Sequence, residues 1–267
     1  MLRRSLVVLW FLGLSLVNLP TVQAEISRNT YDTILDVVAR TYAGAFSERN
    51  ERLRIDRLWP DETNQASAWR EEDRRGEIAI LRIPGGIARQ PIINADAFTL
   101  IVCHEIGHHL AGPPAVWKYS VEGQADYFGV SDCLRRVFPK LPEYSVLREE
   151  TTPEIVVDRC RTVFISREER QLCMRSAMAG ARLTRYFAHK RHIGYPLFEM
   201  PALEVARRTE TGPPSPQCRL DTYFAAALCD PENRATGADG PPWLCTQHPL
   251  QSHGVRPRCW FSAAGAE

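Results

Sequence analysis

Apolar residues recur at helical spacing through Tyr31, Ile34, Leu35, Val38, Tyr42 and Phe46, which predicts an amphipathic helix over residues 30–47. Leu53 and Ile55 alternate with charged neighbours, and Ile78, Ile80 and the run to Ile83 follow a turn near Arg75-Gly76. These segments read as strands of a small antiparallel sheet. The helical period returns in Phe98, Ile101, Val102, Ile106 and Leu110, with Asn94 or a neighbour able to cap the start. Gly112 and then Pro113-Pro114 mark the end of that helix. A next helix is predicted from an N-cap at Ser120 to about Phe138, where Pro139 and Pro142 break the chain. Pro153 suits a first helical position and Ser166-Arg167-Glu168-Glu169 has capping-box spacing, so residues 153–190 read as a helical hairpin. Beyond Thr209, proline, glycine and cysteine surround one apolar stretch, Leu220 to Leu228, which predicts disulfide-held loops with one helix. The fold class expected is therefore α+β, mainly helical, with a small antiparallel sheet and a disulfide-rich C-terminal region.

The start of the chain follows a different rule. Arg3 and Arg4 precede the apolar run from Leu6 to Leu19, and Val22-Gln23-Ala24 places small residues where a signal peptidase reads. Residues 1–24 are expected to be a signal peptide cleaved after Ala24, which directs the protein to the periplasm or outside the cell. The run is shorter than the roughly 20 apolar residues of a membrane span, so no stable span is expected after cleavage. The remaining chain divides into a main domain at 25–208 and a cysteine-rich extension at 209–267 packed on it. Without Arg3 and Arg4 it carries 31 basic and 32 acidic residues, and this near-neutrality gives no electrostatic reason to bind nucleic acid. Nothing in the sequence reports oligomeric state. All eight cysteines follow the export signal, and an even count there reads as up to four disulfides. Nearest-neighbour pairing gives Cys103 with Cys133, Cys160 with Cys173, Cys218 with Cys229, and Cys245 with Cys259.

The candidate chemistry sits in His104-Glu105-Ile106-Gly107-His108 and, fourteen residues on, Glu122-Gly123-Gln124-Ala125-Asp126. On a helix, residues four apart share a face, so the imidazoles of His104 and His108 can converge on one cation. A catalytic zinc takes three protein ligands and leaves one position open, which makes Glu122 the natural third donor and Zn²⁺ the expected cofactor. Glu105 lies beside the metal as the candidate general base. Asp126, one turn after Glu122, can accept the spare N–H of His104. The small Gly107 lets another backbone come close to the second ligand. His109 points about 100° away from the ligand face and is not expected to ligate.

These segments resemble the gluzincin metallopeptidases, and within them the family containing HtpX, BepA and the CAAX prenyl endopeptidase. Asn64-Gln65-Ala66, Ile78-Ala79-Ile80, Gly85-Gly86-Ile87, the His-Glu-x-Gly-His helix and the Glu-x-x-x-Asp segment match its pattern over residues 60–135. The resemblance implies a zincin-like domain, hydrolysis of peptide bonds in a peptide or protein substrate, and an edge strand near Asn64 to Trp69 that pairs with it. One position departs. The family carries a His-Pro and then an arginine late in the domain, whereas here Thr211-Gly212-Pro213-Pro214 precedes Arg219. With glycine in place of that histidine, the oxyanion or substrate donor must be sought among Arg219, Tyr119, Tyr127, His109, His248 and His253. The same departure motivates an alternative: a zinc-stabilised envelope binding or assembly factor with little or no turnover.

Overall fold

A computed structural model describes residues 26–142, 151–230, 244–245 and 253–263. The expected signal peptide and His248 lie outside them. Helix α1 (Arg28–Ser47) begins where the Ser27 hydroxyl accepts the Thr30 N–H, and it buries Tyr31, Ile34, Leu35, Val38, Tyr42 and Phe46. The helical period in the sequence is thus the face that meets the core. Strands β1 (Arg52–Leu58), β2 (Ser67–Asp73) and β3 (Gly76–Pro84) form a sheet in the order β1-β3-β2. The central strand holds the apolar run: Ala79, Ile80, Leu81 and Ile83 have no solvent exposure.

The sheet is mixed, not antiparallel. Strand β2 is antiparallel to β3, with Trp69 opposite Ile80, but β1 is parallel to β3, with Ile55 opposite Leu81. The tight turn between Asp73 and Gly76 forces the first pairing, and Gly76 accommodates it with a φ of 106°. Residues 59–66 are long enough to carry the chain from β1, on one side of β3, to β2 on the other. A crossover of that kind leaves no mark on residue alternation.

Short α2 (Gly85–Ala88) leads into α3 (Ala95–Leu110), whose start is capped by the Asn94 side chain accepting the Ala97 N–H. A two-stranded hairpin follows, β4 (Ala115–Val116) and β5 (Tyr119–Ser120), then α4 (Glu122–Phe128). Ser120 belongs to β5, and the residue before α4 is Val121. The chain continues through one π-turn (Gly129–Leu134), α5 (Arg135–Val137) and a 3-10 turn (Phe138–Lys140). Helices α6 (Glu154–Val163) and α7 (Arg167–Lys190) form the hairpin expected from the capping box, joined by Cys160–Cys173. Helix α8 (Pro216–Ala227) packs against α7 and α4. Among the described residues no helix is long and apolar enough to cross a membrane.

Four disulfides brace the chain, as suits an oxidising, extracellular-type compartment. Cys103–Cys133 and Cys160–Cys173 follow the nearest-neighbour rule. The last four cysteines do not: Cys218 pairs with Cys259 and Cys229 with Cys245. Cys218 lies in the first turn of α8 and Cys229 lies past its end, which separates them by about 16 Å at 1.5 Å per residue. A disulfide needs Cα atoms within about 7 Å. Cys218 therefore ties the tail to α8, and Trp260 of that tail is fully buried against α4.

Candidate metal centre

Helices α3 and α4 cross at Gly107. A Cβ added there would lie 2.8 Å from the Ala125 carbonyl oxygen, so only glycine permits this approach. The crossing brings the Glu122 carboxylate to the histidine face of α3. His104 Nε2 lies 3.4 Å from Glu122 Oε2, and His108 Nε2 lies 3.7 Å from Glu122 Oε1. One donor atom from each of His104, His108 and Glu122 falls within 4.8 Å of the other two. A tetrahedral cation with ligands about 2.0–2.1 Å away sets its donors ~3.3 Å apart, so these residues fit a single divalent ion.

The other nitrogen of each imidazole faces an oxygen. His108 Nδ1 is 2.8 Å from the Ser120 carbonyl oxygen, which fixes that nitrogen as the N–H donor and leaves Nε2 free. His104 Nδ1 is 2.8 Å from Asp126 Oδ1, close enough for an N–H···O contact although off the line of the ring N–H. Asp126 has no solvent exposure, and the same oxygen receives Arg219 Nη2 at 2.6 Å and Tyr223 Oη at 2.6 Å. The guanidinium of Arg219 rests on the Phe187 ring, 4.2 Å from its centroid. The candidate cation site is thus backed by a buried cluster that runs from α3 through α4 to α8.

Charges in the cluster are strongly shifted. Burial works to lower the His104 pKa, but the carboxylates of Asp126 and Glu122 outweigh it and raise it to about 10. His108 goes the other way, lowered to about 4 by burial and by the neighbouring His104. Against the upward pull of burial, His104 and Arg219 hold Glu122 and Asp126 below the usual carboxylate range. Glu105 is buried in the same wall, and burial lifts its carboxyl to about 7. A carboxyl near neutrality can both take and return a proton.

These residues open onto a cleft of about 740 Å³. His104, Glu105, His108, Glu122, Tyr119 and Arg219 all line it. Tyr119 Oη accepts the Arg70 N–H at 2.8 Å, which leaves its own O–H proton to donate. Tyr127 does not reach the cleft: it is fully buried, and its hydroxyl donates to the Gly254 carbonyl oxygen. His109 faces the sheet, 3.2 Å from the Ile80 carbonyl oxygen, and is kept neutral by burial, which lowers its pKa to about 4. Thr211 and Pro213 line the cleft while Gly212 between them is exposed. Two contributors escape sequence reasoning. The Ser120 carbonyl is a backbone group in a hairpin and carries no residue signal, whereas Tyr223 follows Arg219 by one helical turn and could have been found by that spacing. Comparison with protein-family models, with curated proteins and with solved structures returns no match for this chain.

Proposed function

We propose that this chain is an exported zinc-dependent endopeptidase of the gluzincin type. The observation that carries the reading is the convergence of His104, His108 and Glu122 on one point of a cleft wall that also holds buried Glu105. Two imidazoles and one carboxylate form a donor set suited to Zn²⁺ with one position left open. When bound there, zinc supplies Lewis-acid activation of water and of a peptide carbonyl. Asp126 and the Ser120 carbonyl hold the two imidazoles in the tautomer that ligation requires. Glu105 takes the proton of the attacking water on its carboxylate and returns it to the departing amine. Of the candidate donors named from the sequence, Tyr119 and Arg219 line this cleft and can face negative charge developing on the carbonyl oxygen, the task left open by Gly212. The free edge of β2 holds the substrate backbone.

The test compares wild type with Glu105→Gln for zinc content and for hydrolysis of a mixed peptide library. Retained zinc with hydrolysis abolished is expected; retained zinc with unchanged hydrolysis refutes the base assignment. The second reading, a zinc-stabilised binding or assembly factor, draws on the absence of a histidine between Thr211 and Pro213. It is favoured if wild type holds zinc and cleaves nothing.

A further inference from the structure

The cleft has two chemically different ends. At one end stands the β4–β5 hairpin, whose tip exposes Val116 to 44% and Trp117 to 95%. Trp117 is the first residue of the two-residue turn and adopts a left-handed φ of 58°. Hairpins reserve that position for glycine or asparagine, because a bulky side chain there strains the backbone. Folding gains nothing from a strained tryptophan in water, so the residue is explained by what it meets outside the fold.

The hairpin is nonetheless held fast. Its Ser120 carbonyl contacts the ligand His108, its Ser120 hydroxyl donates to the Gly112 carbonyl oxygen at 2.9 Å, and Lys118 Nζ pairs with Glu77 at 2.7 Å. Arg70 reaches it twice, through its backbone N–H to Tyr119 Oη and through Nη1 to the Lys118 carbonyl oxygen. Trp117 is therefore carried on a rigid support joined to the metal centre.

Arg70 also sets the direction of the cleft. Its N–H points away from β3 to reach Tyr119, so by the two-residue period the backbone of Ala68 faces outward as well. The free edge of β2 runs back from Arg70 to Ser67, about 10 Å at 3.3 Å per residue, and the connection before it continues towards Asn64. At that far end Lys190 Nζ lies 3.2 Å from Asn64 Oδ1, and the Tyr186 hydroxyl donates to the Asn64 carbonyl oxygen at 3.4 Å. Lys190 and Arg191 are exposed, line the cleft, and pair with no carboxylate among the described residues.

We infer that the cleft selects extended peptide segments carrying a large apolar side chain at the Trp117 end and an acidic group at the Lys190–Arg191 end. The inference rests on the peptidase reading for the site, but its test is binding. Blocked, fluorescein-labelled, alanine-rich decapeptides with phenylalanine near one end and aspartate near the other, in both orders, are titrated by anisotropy. The protein is zinc-loaded mature chain with Glu105→Gln, and wild type in EDTA serves as a second arm if that variant does not fold.

In one order, replacing the peptide's phenylalanine by alanine weakens binding about tenfold, the scale of one aromatic contact, and Trp117→Ala removes that difference. Replacing aspartate by lysine weakens binding by a similar factor, and the Lys190→Ala/Arg191→Ala double variant removes it. Trp117→Gly raises Tm by relieving the left-handed strain while abolishing the apolar preference, opposite signs that a purely structural tryptophan does not give. Equal affinity for all the peptides, or an apolar preference that survives Trp117→Ala, overturns the inference. If these preferences hold while wild type cleaves nothing, the endopeptidase reading falls and the inference stands. Cleavage without them has the converse result.

Discussion

Asp126→Asn separates two roles that meet on one carboxylate. Asp126 and Arg219 are both buried and 2.6 Å apart, so neutralising the acid leaves an enclosed guanidinium without its counter-charge, facing only the neutral amide oxygen and the Tyr223 hydroxyl. Breaking a buried pair from one side costs about 3–5 kcal/mol. The same substitution removes the anion beside His104 Nδ1, and loss of such an orienting partner weakens metal binding about 10–100-fold. A second change, Arg219→Met, removes the stranded cation while keeping apolar contact with Phe187. The double variant Asp126→Asn/Arg219→Met is expected to recover most of the stability, because replacing a whole buried pair by uncharged groups is often close to neutral. It is not expected to recover metal affinity. Stability is read by urea unfolding of the metal-free, disulfide-intact protein, and affinity by competition with a chromophoric zinc chelator. If the double variant regains stability and metal affinity together, Asp126 acts only through the fold and its role on His104 is refuted.

Gly107→Ala drives a methyl against the Ala125 carbonyl oxygen and is expected to cost about 1–3 kcal/mol in urea unfolding while weakening zinc binding; an unchanged midpoint refutes the close crossing. A non-reduced digest is expected to yield Cys218 linked to Cys259, and Cys218→Ser/Cys259→Ser to cost about 4 kcal/mol from the 41-residue separation; a Cys218–Cys229 peptide contradicts the fold of α8. Tyr31 sits fully buried with its pKa raised to about 12, chiefly by burial. Its folded value exceeds the unfolded value of about 10, so the contribution is complete below pH 10 and lost as pH rises towards 12, on the order of 2 kcal/mol. Urea midpoints across that window should fall less steeply in Tyr31→Phe than in wild type, and equal slopes refute the assignment.

What the sequence made legible is what repeats within one element. The face of α1, the helix at α3, the caps at Asn94 and Ser166, and the glycine at the α3–α4 crossing all act over three or four residues, and the structure places each where the pattern did, although α3 is buried on every side. Parallel pairing of β1 with β3 depends on which side of a strand a connection passes, and side-chain alternation is the same either way. The cysteine pairing failed for a related reason. Nearest-neighbour order ignores that Leu220 to Leu228, itself recognisable as helical, stands as a rigid rod between Cys218 and Cys229.

The candidate site divides along the same line. The convergence of His104, His108 and Glu122 could be read from spacing because α3 and the start of α4 present those side chains within single turns. Its support is non-local. His108 is oriented by a carbonyl of the hairpin, His104 lies against Asp126, and Asp126 is held by Arg219 and Tyr223 from a helix more than ninety positions further along the chain. A motif can arise by chance, but these acceptors leave both Nε2 atoms directed at one carboxylate only when the hairpin, α4 and α8 are all in place. The binding energy for a cation is therefore coupled to tertiary structure, and chelation should lower the stability of the whole α3–α4–α8 unit. If the urea midpoint does not rise with added zinc in wild type, while Glu122→Gln behaves identically, the convergence is packing without ligation. A zinc-dependent shift that Glu122→Gln removes ties the metal to the carboxylate that α4 supplies.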